Sequence, residues 1–160
     1  MEKAGLFMTQ LSNGGAFLTV AAEGGLNTMT IGWAQLGIIW GRPVLSVMVR
    51  ISRHTYGLIE KAPDFTVSVP WVDMKKELAF CGSKSGRDLD KFKELDLKTA
   101  PARSVATPIL QCPGLHYECR ILLKTPMDPR LMDSSIEKVY PKKDYHTIYY
   151  GQIEACYETD

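Results

Sequence analysis

The sequence predicts a mainly-β fold, a β-barrel that carries short helices in its connections. Three observations lead there. Short apolar, β-branched runs recur between turn-forming residues. One of them, Leu115–Leu123, alternates, with Leu115, Tyr117, Cys119, Ile121 and Leu123 on one parity and His116, Glu118, Arg120 and Leu122 on the other, which is polar until its end. Helical spacing persists only briefly, so helices are short and strands dominate.

The elements follow in chain order. Ala16–Ala21 reads as a strand, Glu23-Gly24-Gly25 as a hairpin turn and Met29–Trp33 as the next strand. Val44–Arg50 is short enough for a buried strand. Ser52 is placed to cap a helix from Arg53 to about Ala62, because Tyr56, Ile59 and Pro63 follow helical spacing and the proline supplies a stop. Phe65–Val69 returns to strand. Met74, Leu78 and Cys81 then recur at helical spacing, with Gly82 where a C-cap is expected. A second short helix carries Leu89, Phe92 and Leu95. Beyond Leu115–Leu123, Thr125–Lys143 is the only candidate long loop. In the last strand His146, Ile148 and Tyr150 share one parity and Ile153, Ala155 and Tyr157 the other, which predicts a bulge at Gly151.

A chain of 160 residues predicts one domain over 1–160, and with 45% hydrophobic and 23% charged residues it has the composition of a globular protein. The formal net charge is +1, so no global field selects nucleic acid or anionic lipid, and any anion site is a local cluster. The four cysteines form no CxxC pair and no zinc spacing, so no metal is expected. The start, Met1-Glu2-Lys3-Ala4-Gly5, lacks the basic and apolar regions of a signal peptide, which predicts a cytoplasmic protein. There is no GxGxxG, GxxxxGK or HExxH, and Gly82-Ser83-Lys84-Ser85-Gly86 puts lysine where a nucleophile elbow needs serine.

Arg50-Ile51-Ser52-Arg53-His54-Thr55 is the informative stretch. Two guanidiniums, hydroxyls and helix N–H groups converging there would suit a phosphate dianion, although a solvated charged turn explains the same residues. Lys84, Arg87 and Lys91 add cations around a glycine-containing turn, or else belong to a helix paired through Asp88, Asp90 and Glu94. Asn27–Gln35 offers hydroxyls and amides beside Trp33, suited to a polyol and a flat heterocycle or equally to an edge strand. Cys81 reads first as a packed thiol.

Four ordered blocks, Asn27–Trp33, Gly37–Pro43, Val49–Tyr56 and Phe80–Asp88 with Asp90-Lys91-Phe92, resemble the flavin reductase-like, FMN-binding split-barrel family, and its flavoredoxin-like branch above all. The likeness runs from about Leu11 to Tyr157. It implies a split β-barrel homodimer that binds FMN noncovalently near the subunit interface. By position, Arg50, Ser52, Arg53 and Thr55 match the phosphate-binding block. Asn27, Met29, Thr30, Trp33 and Ala34 match the segment along the ribityl chain and isoalloxazine. Lys91 matches a lysine near the flavin or its phosphate, Cys81 and Ser83 border the pocket, and His146 matches a histidine that can approach the flavin. Ile51 stands where relatives often have proline. The chain's end at Asp160 implies a more open flavin than in relatives with longer tails.

The implied activity is an oxidoreductase taking a hydride from NADH or NADPH and passing electrons to free flavin, a ferric chelate or another acceptor. The alternatives are an electron carrier served by a protein partner, without efficient NAD(P)H oxidation, and a flavin sensor without turnover. Because the cofactor carries the redox chemistry, no side chain is required as acid, base or nucleophile.

Overall fold

The computed structural model describes residues 2–160. The chain opens with a helix that the sequence reading did not anticipate, α1 (Glu2–Ser12), followed by β1 (Ala16–Ala22), β2 (Gly25–Ile31), β3 (Ala34–Ile39) and β4 (Arg42–Arg50). Next come α2 (His54–Ile59), β5 (Asp64–Pro70), α3 (Lys75–Ser83), α4 (Lys91–Glu94) and the short pair β6 (Thr99–Ala100) and β7 (Ile109–Leu110). The long strands β8 (Gly114–Pro126) and β9 (His146–Thr159) flank a 3₁₀ turn (Pro129–Leu131) and α5 (Ser134–Glu137).

Seven strands form one antiparallel sheet in the order β2-β1-β5-β8-β9-β4-β3, and β6 pairs with β7 separately. The sheet curls around a core in which Leu18 and Val20 of β1 meet Leu45, Val47 and Val49 of β4, Phe65, Val67 and Val69 of β5, and Leu115, Tyr117 and Cys119 of β8. Alternate residues of each strand point inward, so the strand period of two builds the core. The two edges, β2 and β3, are consecutive in the chain but do not pair. Only Gly32 and Trp33 lie between them, so the barrel is split where the sequence places its aromatic segment.

Phe7 and Leu11 of α1 enter the same core, and the Phe7 ring meets Tyr117 at 5.3 Å. A second cluster lies behind β1, where Phe17 packs with Leu78 and Cys81 of α3 and with Leu110 and Cys112. The helical face expected at Met74, Leu78 and Cys81 is therefore real and covers the outside of the barrel.

Several local expectations change. Arg53, not Ser52, occupies the N-cap of α2, and its side chain makes no capping bond. Ser52 turns to Asp144 instead, with its hydroxyl 2.5 Å from Oδ2. The helix ends at Ile59, and the Lys124 ammonium caps the carbonyls of Ile59 and Glu60 at 3.1 and 2.6 Å. Gly82 lies inside α3, whose C-cap is Lys84, because a Cβ at Gly82 would already touch the Thr30 side chain at 3.4 Å. The second helix is confined to α4: the Asp90 carboxylate accepts from the N–H groups of Phe92 and Lys93, and Leu89 and Leu95 fall outside it. Gly151 is not bulged. It pairs with Leu45 and Ile121, and the extra residues are Leu122 on β8 and Glu154 on β9. A Cβ at Gly151 would sit 2.6 Å from the Phe65 ring, so glycine serves close packing there. The expected loop Thr125–Lys143 begins as strand and contains two short helical turns.

Candidate functional site

Two adjoining cavities lie beside the split. The first, about 120 Å³, is walled by Asn27 and Met29 of β2, by the segment Ser52–Thr55, by Cys81 and Ser83 of α3, by the loop Lys84–Arg87 and by Lys91. No aspartate or glutamate lines it, while Arg53, Lys84, Arg87 and Lys91 do. Such a donor set suits a dianion, because guanidinium and ammonium groups make the stronger, charge-assisted hydrogen bonds.

The geometry explains how these residues are held. The Arg53 guanidinium donates to the Gly82 carbonyl at 2.8 Å, joining the N-cap of α2 to the end of α3. Arg87 donates to the Ser52 carbonyl at 2.9 Å, which folds the loop back over the block. Asn27 Nδ2 donates to the Thr55 hydroxyl at 2.8 Å. Gly86 completes the wall, since a Cβ there would collide with Asn27 Oδ1 and lie 2.7 Å from the His54 ring.

Lys91 is buried and its ammonium donates to the carbonyls of Thr28 and Cys81 at 3.0 and 2.8 Å. It therefore ties β2 to α3 as well as lining the cavity. Burial lowers its pKa, and the positive charge of Arg53 acts in the same direction. His54 is also lowered, by burial and then by Arg87 and Lys91. An anion in this cavity would oppose both charge effects.

The second cavity, about 160 Å³, shares Met29 and Arg53 with the first and adds Thr30, Ile31, Gly32, Trp33, Met48, Arg50 and His146. Trp33 is half exposed and its ring lies 5.1 Å from that of His146. The Thr30 hydroxyl is committed to the Leu78 carbonyl at 2.6 Å, so Arg50, Arg53 and His146 supply the polar side chains of this cavity beside Ile31, Trp33 and Met48. Ala34 lies farther along, in a third cavity of about 290 Å³ that shares Gly32, Trp33 and Met48 with the second.

The structure thus brings together Asn27, Met29, Ser52, Arg53, Thr55, Cys81, Ser83 and Lys91 in one cavity, and Met29, Thr30, Trp33, Arg50, Arg53 and His146 in the next. The arginine block is divided: Arg50 stacks over the Tyr140 ring at 5.1 Å and donates to the Asp144 carbonyl at 3.3 Å. Ser52 is partly withdrawn, because Asp144 accepts from both its hydroxyl and its N–H. Residues absent from the candidate set but present in the walls are His54, Lys84, Ser85, Gly86 and Arg87 in the first cavity and Ile31, Gly32 and Met48 in the second. Lys84 and Arg87 were visible as cations beside a glycine, but helix pairing accounted for them equally well. Among the described residues no group of His, Cys, Asp or Glu is arranged to hold a metal ion, and no helix is long and apolar enough to cross a membrane.

Burial pushes the Cys81 thiol up to about 11, so at neutral pH it is a thiol and a poor nucleophile. Cys81→Ala is expected to keep any turnover at this site within about tenfold, roughly 1.4 kcal/mol in barrier, at equal ligand occupancy. A far larger loss with an unchanged circular dichroism spectrum would establish a chemical role for the thiol.

The fold is an open β-barrel with a cationic cavity at its split and a second cavity beside it. Residues 8–160 match the family model of the flavin reductase like domain, and the chain belongs to that family. It is similar in fold to the flavoredoxin of Desulfovibrio vulgaris (Miyazaki F), with a TM-score of 0.71 and 20% identity over 91% of this chain and 69% of that one. An FMN-binding protein from Thermus thermophilus gives 0.69 and 24%, covering 89% and 68%. An NADH:FAD oxidoreductase of Streptomyces globisporus C-1027 gives 0.69 and 16%, covering 90% and 74%. At these identities the likeness is one of fold. An uncharacterized protein of Archaeoglobus fulgidus is 27% identical over 66% of this chain, and the match spans 59% of that relative's length.

Proposed function

We propose that this chain is an FMN-dependent oxidoreductase, acting as an NAD(P)H:flavin reductase. The observation that carries the reading is the pair of adjoining cavities sharing Met29 and Arg53, one lined by four lysine and arginine side chains and no carboxylate, the other by Trp33 and Met48 beside Arg50 and His146. Bound FMN would supply the redox chemistry, accepting a hydride from NADH or NADPH and passing electrons to a flavin, a ferric chelate or another acceptor. Arg53, Arg87, Lys84 and the Ser85 hydroxyl would hold its phosphate, with the Ser83 hydroxyl committed to the Ala79 carbonyl at 2.8 Å. Asn27, Met29, Thr30 and the Gly32-Trp33 backbone would flank the ribityl chain and ring. The single compact anion cavity favours FMN over a dinucleotide.

The likeness in fold to flavoredoxins supports a second reading, an electron carrier reduced by a protein donor. Anaerobic titration of the purified holoprotein separates the two. Bleaching of bound FMN by NADH or NADPH supports the reductase, whereas bleaching only through a protein donor replaces it with the carrier. Mass spectrometry of the released cofactor showing FAD, or a covalent flavin, would overturn the FMN assignment.

A homodimer belongs to the same proposal. Trp33, Ile38 and Trp40 are 45%, 73% and 58% exposed along and beyond the β3 edge, next to the split, and a second copy covering them would enclose the ring cavity. Light scattering is expected to give twice the chain mass, and a monomer that retains tight FMN binding would remove the argument.

A further inference from the structure

Tyr140 lies in the polar connection between β8 and β9, where residues 133–139 and 141–143 are exposed, yet it is itself 4% exposed. Its ring is held on several sides. The Arg50 guanidinium stacks over it at 5.1 Å, Trp33 meets it edge-on at 6.4 Å, and Tyr145 lies 5.1 Å away. These contacts fix where the hydroxyl points: 2.7 Å from His146 Nδ1 and 3.4 Å from Met127 Sδ.

A phenol has one proton to donate. A thioether is a weak acceptor and an unprotonated imidazole nitrogen a strong one, so the short bond to Nδ1 takes the proton. Nδ1 is then the bare nitrogen and Nε2 carries the hydrogen, since a neutral imidazole has one of each. The reversed arrangement, Nδ1–H donating to the phenol oxygen while the phenol turns to Met127, keeps a bond at 2.7 Å but asks the phenol, a better donor than acceptor, to accept it, and that distance is short for N–H···O, which centres at about 2.9–3.0 Å. The two differ at the cavity, where the first presents a donor and the second an acceptor.

The surroundings keep the imidazole neutral. Burial is the main cause and Arg50 the next, with Arg53 adding and the Asp144 carboxylate opposing, and together they bring the His146 pKa to about 4. The charged and titratable groups facing it are thus Arg50 from β4, Arg53 from the N-cap of α2, and Asp144 and Tyr140 from the connection; Trp33 closes the remaining side. Nε2 has no protein partner among the described residues, and His146 lines the second cavity.

We propose that Tyr140 is the positioning residue of His146, and that by donating to Nδ1 it holds the imidazole as the Nε2–H tautomer, so that an N–H donor is offered to the ligand of the second cavity. The identity of that ligand rests on the FMN reading above. A flavin has ring nitrogen and carbonyl acceptors at its edge that an N–H can meet, whereas a bare imidazole nitrogen would repel them.

The test is ¹⁵N NMR of the FMN-free protein with labelled imidazoles. Only three histidines are present, and His146 is assigned by its loss in His146→Asn. At pH 7, His146 is expected to show an unprotonated Nδ1 and a protonated Nε2. In Tyr140→Phe, which keeps the ring but removes the hydroxyl, the Nδ1–H form should rise at least severalfold while the circular dichroism spectrum is retained. A wild-type Nδ1–H tautomer, or an unchanged spectrum in Tyr140→Phe, overturns the proposal. FMN is then added and its binding followed separately by fluorescence quenching. Bound FMN with a shifted Nε2 resonance supports the proposal, and bound FMN with no shift overturns it. Absence of FMN binding overturns the functional reading, leaving the tautomer result to stand or fall by the FMN-free spectra.

Discussion

Arg53→Ala is expected to weaken FMN binding by about 10- to 150-fold, the equivalent of losing a charge-assisted hydrogen bond worth about 1.5–3 kcal/mol. Arg53 is the charged side chain common to the cationic cavity and its neighbour, and no carboxylate in the cationic cavity competes for it. Riboflavin, which has no phosphate, should lose little. Arg50→Ala makes the contrast, because Arg50 faces Tyr140 and Asp144 in the neighbouring cavity. Its loss should weaken FMN and riboflavin alike. Fluorescence titration with both flavins reads the difference directly, and equal losses of the two for Arg53→Ala would remove the phosphate assignment. Arg53 also donates to the Gly82 carbonyl, so each variant is compared at matched thermal stability.

What the sequence showed of this site depended on how local the signal was. Arg53 and Thr55 were legible because a strand end and a helix start put cations and hydroxyls within one short stretch. The division between Arg50 and Arg53 was not, since it comes from Tyr140 and Asp144, both far along the chain. Ser52 misled for the same reason: a serine before a helix is a good cap in isolation, but Asp144 claims its hydroxyl. Arg87 carried no local mark of its partner, the Ser52 carbonyl. In the fold, alternation at Leu115–Leu123 predicted β8, and the periodic face of α3 predicted its packing. Helix α1 carries little local signal, because among its described side chains Phe7 and Leu11 are the buried ones and Gln10 is half-buried. The parity change in β9 was correctly seen, but a glycine drew the bulge to itself when the extra residue is Glu154.

Glu118→Ala is expected to cost about 1.5–3 kcal/mol of folding stability, the scale for losing hydrogen bonds to a charged group. Glu118 lies on β8, is fully buried, and accepts three hydrogen bonds: from the N–H groups of Arg103 and Ser104 at 2.8 and 2.6 Å and from the Tyr157 hydroxyl at 2.6 Å. The Arg103 guanidinium lies 3.5 Å from the centre of the Tyr157 ring, beside the same carboxylate. Asp64 performs the matching task a few residues on, accepting from the N–H groups of Ala106 and Thr107 at 3.1 and 3.0 Å. The connection between β6 and β7 has no ladder for these N–H groups, so two carboxylates from the neighbouring strands satisfy them instead. Alanine at 118 removes the acceptor that ties these partly buried donors to β8. Glu118→Gln keeps one carbonyl oxygen but turns an amide N–H toward one of them, and should fall between alanine and the parent. As a comparison, Glu154→Ala breaks the surface pair with Arg120 at 2.8 Å and should cost about 1 kcal/mol or less. Urea unfolding of the three variants at pH 7 orders them, and a Glu118→Ala loss no larger than that of Glu154→Ala would show that the loop is held by something other than this carboxylate. Because the loop lies outside both cavities, the folded fraction of each variant should bind FMN as the parent does.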